Sequence, residues 1–348
     1  MMPMGKLTPS KHPVSRLITG VVSAGIRCAA GSLVVALLGM SLLAIPAFAT
    51  DYPNRPVRIV IPFSAGGAPD IVMRVLGQAL SEKWRQSIVI ENRPGANTYL
   101  GTTAVARSEP DGYTLLFTAD GTFILNALLY TGMPYSMKDF DPITLVATTP
   151  HILAVSNKVP AKTTQEFVAL AKTKKDEMTF GSSGPGSIQR LAFEFFSRIT
   201  GISLIHVPYR GANEAATALV AGEIDSTITG LATVYPQVLA GTVRGFAIST
   251  KQRSQLAPNL PTIHEAGAPG YSSQGAFGLM APAGVPQDIR DKIQRDIAEI
   301  LNTPQIKKVL ADRYFEPAAT GQKEFLALID EETIKWRQVI KEKDIKGD

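Results

Sequence analysis

The sequence predicts an α/β protein of two similar lobes, with parallel-type sheets, helices on both faces and a hinge of two crossover segments. Three observations predict it. Short β-branched runs alternate with stretches of helical period from residue 57 onward. The alternation pauses at one long extended stretch, 143–155, interrupted at Pro150, and then begins again. A late apolar run, 276–280, is placed to bring the chain back to the first lobe. The expected division is 50–149 with 272–348 for the first lobe and 150–271 for the second. Lobes joined by two passes of chain leave a cleft between them and can hinge.

Residues 1–49 read as a cleavable signal peptide. Lys6, Lys11, Arg16 and Arg27 form a basic lead-in, 33–45 is an apolar run broken only by Gly39 and Ser41, and Ala47-Phe48-Ala49 is a small-x-small cleavage pattern. A membrane anchor would need about 18–20 apolar residues. Cleavage removes Cys28, the only cysteine, so the exported chain needs a large core rather than disulfides. It also removes 4 of the 35 basic residues, leaving 31 against 30 acidic ones. That balance argues against nucleic acid or a membrane surface as partner.

The β-branched run 57–61 reads as a strand buried on both faces. Ile71, Val72, Val75, Leu76, Ala79 and Leu80 recur with helical period, so a helix begins after Pro62-Phe63-Ser64-Ala65-Gly66-Gly67-Ala68-Pro69-Asp70. A strand passing through a Gly-Gly turn into a helix leaves backbone N–H groups unpaired at the positive end of the helix dipole, which suits an anion. The plainer alternative is a glycine turn capped locally by Asp70. Strands at 87–90 and 113–118 follow, with helices at 102–107 and 122–130. The second lobe repeats the scheme: helix 164–175, strand 178–180, a Gly/Ser turn at 181–187 and helix 188–199. Strand 204–207 ends in Pro208-Tyr209-Arg210-Gly211 and leads to helix 212–221; strands 224–229 and 243–249 flank helix 231–240. Amphipathic helices over 286–312 and 322–343 complete the chain.

These residues resemble a known family, the Bug-type periplasmic solute-binding proteins of tripartite tricarboxylate transporters. The resemblance spans the exported chain, through Tyr52-Pro53-Asn54-Arg55-Pro56, the first glycine turn with Asp70, Glu91-Asn92-Arg93-Pro94-Gly95-Ala96 and Asp111-Gly112-Tyr113-Thr114. It continues through Gly181-Ser182-Ser183-Gly184 with Gly186-Ser187, His206-Val207-Pro208-Tyr209-Arg210-Gly211, Pro261-Thr262-Ile263-His264-Glu265 and Ala281-Pro282-Ala283-Gly284. It implies a type II periplasmic binding fold that captures small carboxylates for a membrane permease. It further implies that Phe63, Ser64, Ala65, Gly66 and Gly67 face Ser182, Ser183, Gly184, Gly186 and Ser187 across the ligand, holding a carboxylate through backbone and ordered water. The chain departs from the family where Asn97-Thr98-Tyr99-Leu100-Gly101 stands in place of a stretch ending in Asn-Ile-Gly. A Tyr99 ring facing the cleft would stack on an aromatic acid or fill space against a short one; facing outward, it has no bearing on specificity.

Each candidate has a plainer role beside the binding one. Ser182, Ser183 and Ser187 suit a second anion seat or an ordinary helix cap. Asp70 is expected to accept N–H bonds from the first turn, not to touch an anion. Asn97, Thr98, Thr118 and Gly121 lie at loops or strand ends of the first lobe; Tyr209, Thr229 and Gly230 do so in the second. Arg210 suits either a carboxylate or open solvent.

An enzyme is not expected. His151, His206 and His264 lack partners at metal spacing, and the glycines match neither a phosphate loop nor a dinucleotide site. Gly184-Pro185-Gly186-Ser187 is not a nucleophile elbow. No metal or cofactor is expected, and the chain is read as a monomer. The alternatives are a receptor that docks on a membrane sensor and a hydrolase built on the same scaffold; a receptor returns its ligand unchanged.

Overall fold

The structure is a computed structural model that describes residues 52–347, so the predicted signal peptide and Cys28 lie outside the described residues. Strand β1 (Val57–Ile61) is buried except at Arg58, as its β-branched composition demands. It pairs in parallel with β2 (Ile88–Asn92) on one side and β3 (Thr114–Ala119) on the other. Helices α1 (Ala68–Trp84) and α2 (Tyr99–Ala106) make the connections. β5 (Thr179–Ser182) likewise pairs in parallel with β6 (Ile205–Pro208) and β7 (Ser226–Gly230).

The expected parallel pairs therefore form, but the complete sheet is mixed. Strand β4 (Phe140–Ser156) and strand β9 (Gln274–Pro282) carry the chain between the two strand groups, and the whole of β9 pairs antiparallel with residues 140–150 of β4. The order is β2-β1-β3-β9-β4-β7-β5-β6, with β8 (Val243–Ile248) and the short β10 (Glu316–Pro317) also on β4. Contrary to the expected interruption, Pro150 does not break β4. It occupies the rung where pairing to β9 ends, opposite Gln274, and His151 starts the pairing to β7 opposite Gly230. A proline without an N–H is tolerated where the strand changes partners.

Two helical spans also differ from expectation. Residues 122–130 divide into a π-helical turn, Gly121–Leu125, and a short α3 (Asn126–Leu129). Residues 286–312 divide into α8 (Gln287–Leu301) and α9 (Pro304–Ala311), because the Thr303 hydroxyl accepts from Ile306 N and Pro304 opens a new helix. Before these, the second strand group carries α4 (Thr164–Thr173), α5 (Ile188–Thr200), α6 (Ala212–Ala221) and α7 (Leu231–Leu239).

The last helix, α10 (Gln322–Glu342), packs across the central strands. Its Phe325 lies in the space that a side chain at Gly278 of β9 would fill: a Cβ there would stand 2.2 Å from the ring. Phe325 also meets Phe123 edge-on, with ring centroids 5.5 Å apart. Gly278→Ala is expected to cost about 1–3 kcal/mol, because neither the buried ring nor a central strand can move aside. A lower melting temperature with the mutant still folded checks this; an unchanged one would mean that α10 is free to lift.

Candidate functional site

The first glycine turn is built by its own carboxylate. Gly66 has φ of +79°, which glycine adopts without strain, and Gly67 N closes the turn on Ser64 O at 3.3 Å. Asp70, in the first turn of α1, accepts the Gly66 N–H at 2.9 Å and Arg74 Nε at 2.8 Å through one oxygen. Arg74 also donates to Asn92 Oδ1, and Asn92 Nδ2 donates to Phe63 O, so the turn is tied back to the end of β2. Burial pushes the Asp70 carboxyl up, but the bonds from Arg74, Gly66 and Asn92 outweigh it and hold it below its ordinary value. Its other oxygen is buried without a partner. Ser64, Ala65 and Gly66 are exposed. The Gly66 N–H is committed to Asp70, while no protein acceptor engages the Ser64 and Ala65 amides among the described residues. Asp70 thus orders the turn, and the turn offers backbone N–H groups.

Beside it, Ala96, Asn97 and Thr98 all take positive φ (45°, 50° and 73°), an arrangement costly for residues with a Cβ. Asn126 holds them there. Its side chain donates to Asn97 O, Thr98 Oγ1 and the Tyr135 hydroxyl, and accepts from Asn97 Nδ2. Thr122 donates to Thr98 Oγ1, and Thr118 donates to Thr122 at 2.7 Å. Thr118 is wholly buried, so its hydroxyl supports this cluster from beneath. Gly101 packs against Pro62: a Cβ there would stand 2.9 Å from the proline Cβ. The Tyr99 ring is half-buried, edge-on to Tyr130 and Tyr135 with centroids 6.3 and 5.8 Å away. Gly121 N is capped by Asp120, a buried carboxylate that also accepts Ala276 N.

In the second turn the serine hydroxyls are committed locally. Ser182 Oγ lies 2.7 Å from His206 Nε2 and bonds Gly184 O; Ser183 donates to Gln189; Ser187 caps α5 by accepting Arg190 N and donates to Gly184 O. Gly184 takes φ of +124°. Any ligand here would meet backbone more readily than hydroxyl. Tyr209 lies behind this turn, its backbone N donating to Ser182 O. Gly186 packs on residues from the other strand group: a Cβ there would stand 2.9 Å from the Tyr130 hydroxyl and 3.1 Å from Leu129 Cδ1. Thr229 and Gly230 end β7 at the start of α7, where Gly230 pairs with His151 and the buried Thr229 hydroxyl has no partner.

Sequence reasoning did not single out Arg190, Asn126 or Tyr130. Arg190 lies in the first turn of α5 and donates to Pro185 O, while its Nε is buried without a partner. A cation at the positive end of a helix is the unfavourable choice, and that was the available signal. Burial, helped by Arg190, pushes His206 down to about 4, so at neutral pH an uncharged imidazole bonds Ser182. Among the described residues no three His, Cys, Asp or Glu are grouped to hold a metal, and no helix is long and apolar enough to cross a membrane.

BugT of Bordetella pertussis is 30% identical over 306 residues, covering 87% of this chain and 94% of that protein. The Rhodopseudomonas palustris protein Rpa4515, solved with adipate, superposes with a TM-score of 0.77 at 31% identity, over 85% of this chain and 99% of its own. MatC from the same organism, solved with malate, gives 0.72 at 29% identity, over 83% of this chain and all of its own. Residues 72–345 match the model of the tripartite tricarboxylate transporter family receptor, and the chain belongs to that family.

Proposed function

We propose that the protein is an exported periplasmic receptor that captures a small mono- or dicarboxylate between its two glycine turns and delivers it to the membrane subunits of a tripartite transporter. On this reading segment 1–49 is the cleaved export signal, and β4 with β9 forms the hinge between 50–149 with 272–348 and 150–271. The receptor acts as a monomer, with no cofactor and no covalent step. The observation that carries the reading is a run of contacts joining the turns. Gly101 packs on Pro62 beside the first turn, Tyr99 meets Tyr130, and Tyr130 meets Gly186 in the second. On this reading the acid's oxygens are taken by the amides that no protein acceptor engages among the described residues, those of Ser64 and Ala65 in the first turn and of Ser183 and Gly186 in the second, with Asp70 and the serines holding the turns in shape. The adipate and malate held by the relatives make short acids the class to test.

A thermal-shift screen of the exported chain tests it with adipate, malate, benzoate and the neutral diamide of adipate. A ligand at a hundredfold its Kd stabilises the folded state by about 2.7 kcal/mol. At least one acid is expected to raise the melting temperature by several degrees and to be recovered unchanged, with no effect from the diamide. An equal shift from the diamide, or none from any acid, removes the carboxylate reading.

A further inference from the structure

Tyr130 is packed against two glycines from distant parts of the chain. The absent Cβ of Gly186 would meet its hydroxyl, and the absent Cβ of Gly347 would stand 2.5–3.0 Å from three of its ring carbons. Its hydroxyl donates to Gly347 O at 2.9 Å. Two stretches of backbone approach one phenol, closer than any residue with a side chain would allow.

The segment bearing Gly347 is itself anchored. Ile345 is buried in the core and bonds back to Ile340 O. At the end of α10, Glu342 pairs with Arg198 at 3.0 Å and Lys343 with Glu194 at 3.7 Å. Both partners lie on α5, the helix that the second glycine turn opens. The tail is therefore fastened to α5, while Tyr130 belongs to the segment after β3 and reaches Tyr99 beside the first turn. The Tyr130 contact joins the two sides at the level of the turns.

We propose that Tyr130, clamped by the C-terminal tail at Gly347, is the positioning residue that fixes the second glycine turn relative to the first, and so sets the length of acid the receptor accepts. This rests on the carboxylate-receptor reading for its ligand, although the clamp itself can be tested without one. Moving the phenol moves Gly186 and the amides that flank it; an acid spanning both turns senses that displacement as a change in the distance between its two ends.

Three variants separate the parts: Tyr130→Phe removes the bond to Gly347 O, Gly347→Ala drives a methyl into the ring, and Gly186→Ala presses on the hydroxyl. Without ligand, hydrogen exchange at the 182–187 turn, read at the amides of Ser182, Ser183, Gly184, Gly186 and Ser187, is expected to quicken about fivefold in Tyr130→Phe and Gly347→Ala, the loss of roughly one hydrogen bond. With ligand, calorimetry across malonate, succinate, glutarate and adipate is expected to show the ratio of best to next-best acid shifting about tenfold in Gly186→Ala. A merely structural role would lower the melting temperature and leave that ratio alone. Unchanged exchange at 182–187 in both tail-side variants overturns the clamp, whether or not any acid binds. A preserved ratio in all variants, with wild type binding normally, overturns the role in specificity. Failure of wild type to bind any of the acids would instead count against the receptor reading.

Discussion

Asp70→Ala is expected to weaken binding of the captured acid by 10- to 100-fold while leaving the chain folded. One oxygen of this carboxylate holds both the Gly66 N–H and Arg74 Nε. A hydrogen bond to a charged group contributes about 1.5–3 kcal/mol, which is that range in affinity. Without it Gly66, already at a positive φ, is free to leave its conformation, and the ligand must order the turn at its own expense. The opposing effect is Coulombic, since removing a negative charge near an anion favours binding. The turn is exposed at Ser64, Ala65 and Gly66, so water and salt screen that change and the ordering effect wins. Asp70→Asn separates the two, keeping an acceptor without the charge, and is expected to lose less than alanine. Calorimetry with the acid found by the screen checks both. Tighter binding by the alanine variant would mean that the charge, not the order, governs this turn.

What could be read in advance was what is local. The strand–turn–helix at 57–80 shows its role in neighbouring residues: Gly66 and Gly67 make the turn and Asp70, four residues on, caps it. Ser187 as the cap of α5 is equally local. The antiparallel crossing was not legible, because β4 and β9 are more than 100 residues apart and both read as plain apolar strands. For the same reason Pro150 looked like a break, when only the identity of its neighbours explains why the strand continues. The support for Asn97 and Thr98 depends on Asn126, 29 and 28 residues away, in a stretch that reads as an ordinary helix. Tyr99 was legible as an unusual ring beside the site but not as a member of a cluster with Tyr130 and Tyr135. His206 read as a histidine without a metal partner; its bond to Ser182 follows from the register of β5 and β6, which no motif encodes.

Asp120→Asn is expected to change the shape of the stability–pH curve more than its height. Burial pushes the Asp120 carboxyl from 3.8 up to about 7; the Ala276 and Gly121 N–H groups pull it down, Glu332 adds to the rise and Lys335 opposes it. The folded chain then holds this proton while the unfolded chain releases it, so stability falls as pH rises from about 4 to about 7. His151 acts in the opposite sense. Burial, with Lys335, pushes it from 6.5 down to about 3, so the unfolded chain alone takes up the proton at acid pH and stability rises from about pH 3 to about 6.5. Over their common window these two contributions cancel, but His206, pushed from 6.5 down to about 4, adds a second rising one, so wild type is expected to gain stability between pH 4 and 6.5. Asparagine cannot ionise, so the variant loses the falling contribution and keeps the rising ones of His151 and His206. Relative to wild type it should gain about 1.4 kcal/mol for each pH unit across that window. Its height should be lower at pH 4, because one amide oxygen replaces two carboxyl oxygens that receive Gly121 N and Ala276 N. Denaturant melts at pH 4, 5.5 and 7 decide it: curves that converge or cross with rising pH place the shared proton on Asp120, and parallel curves show that its carboxyl ionises as freely in the folded chain as in the unfolded one.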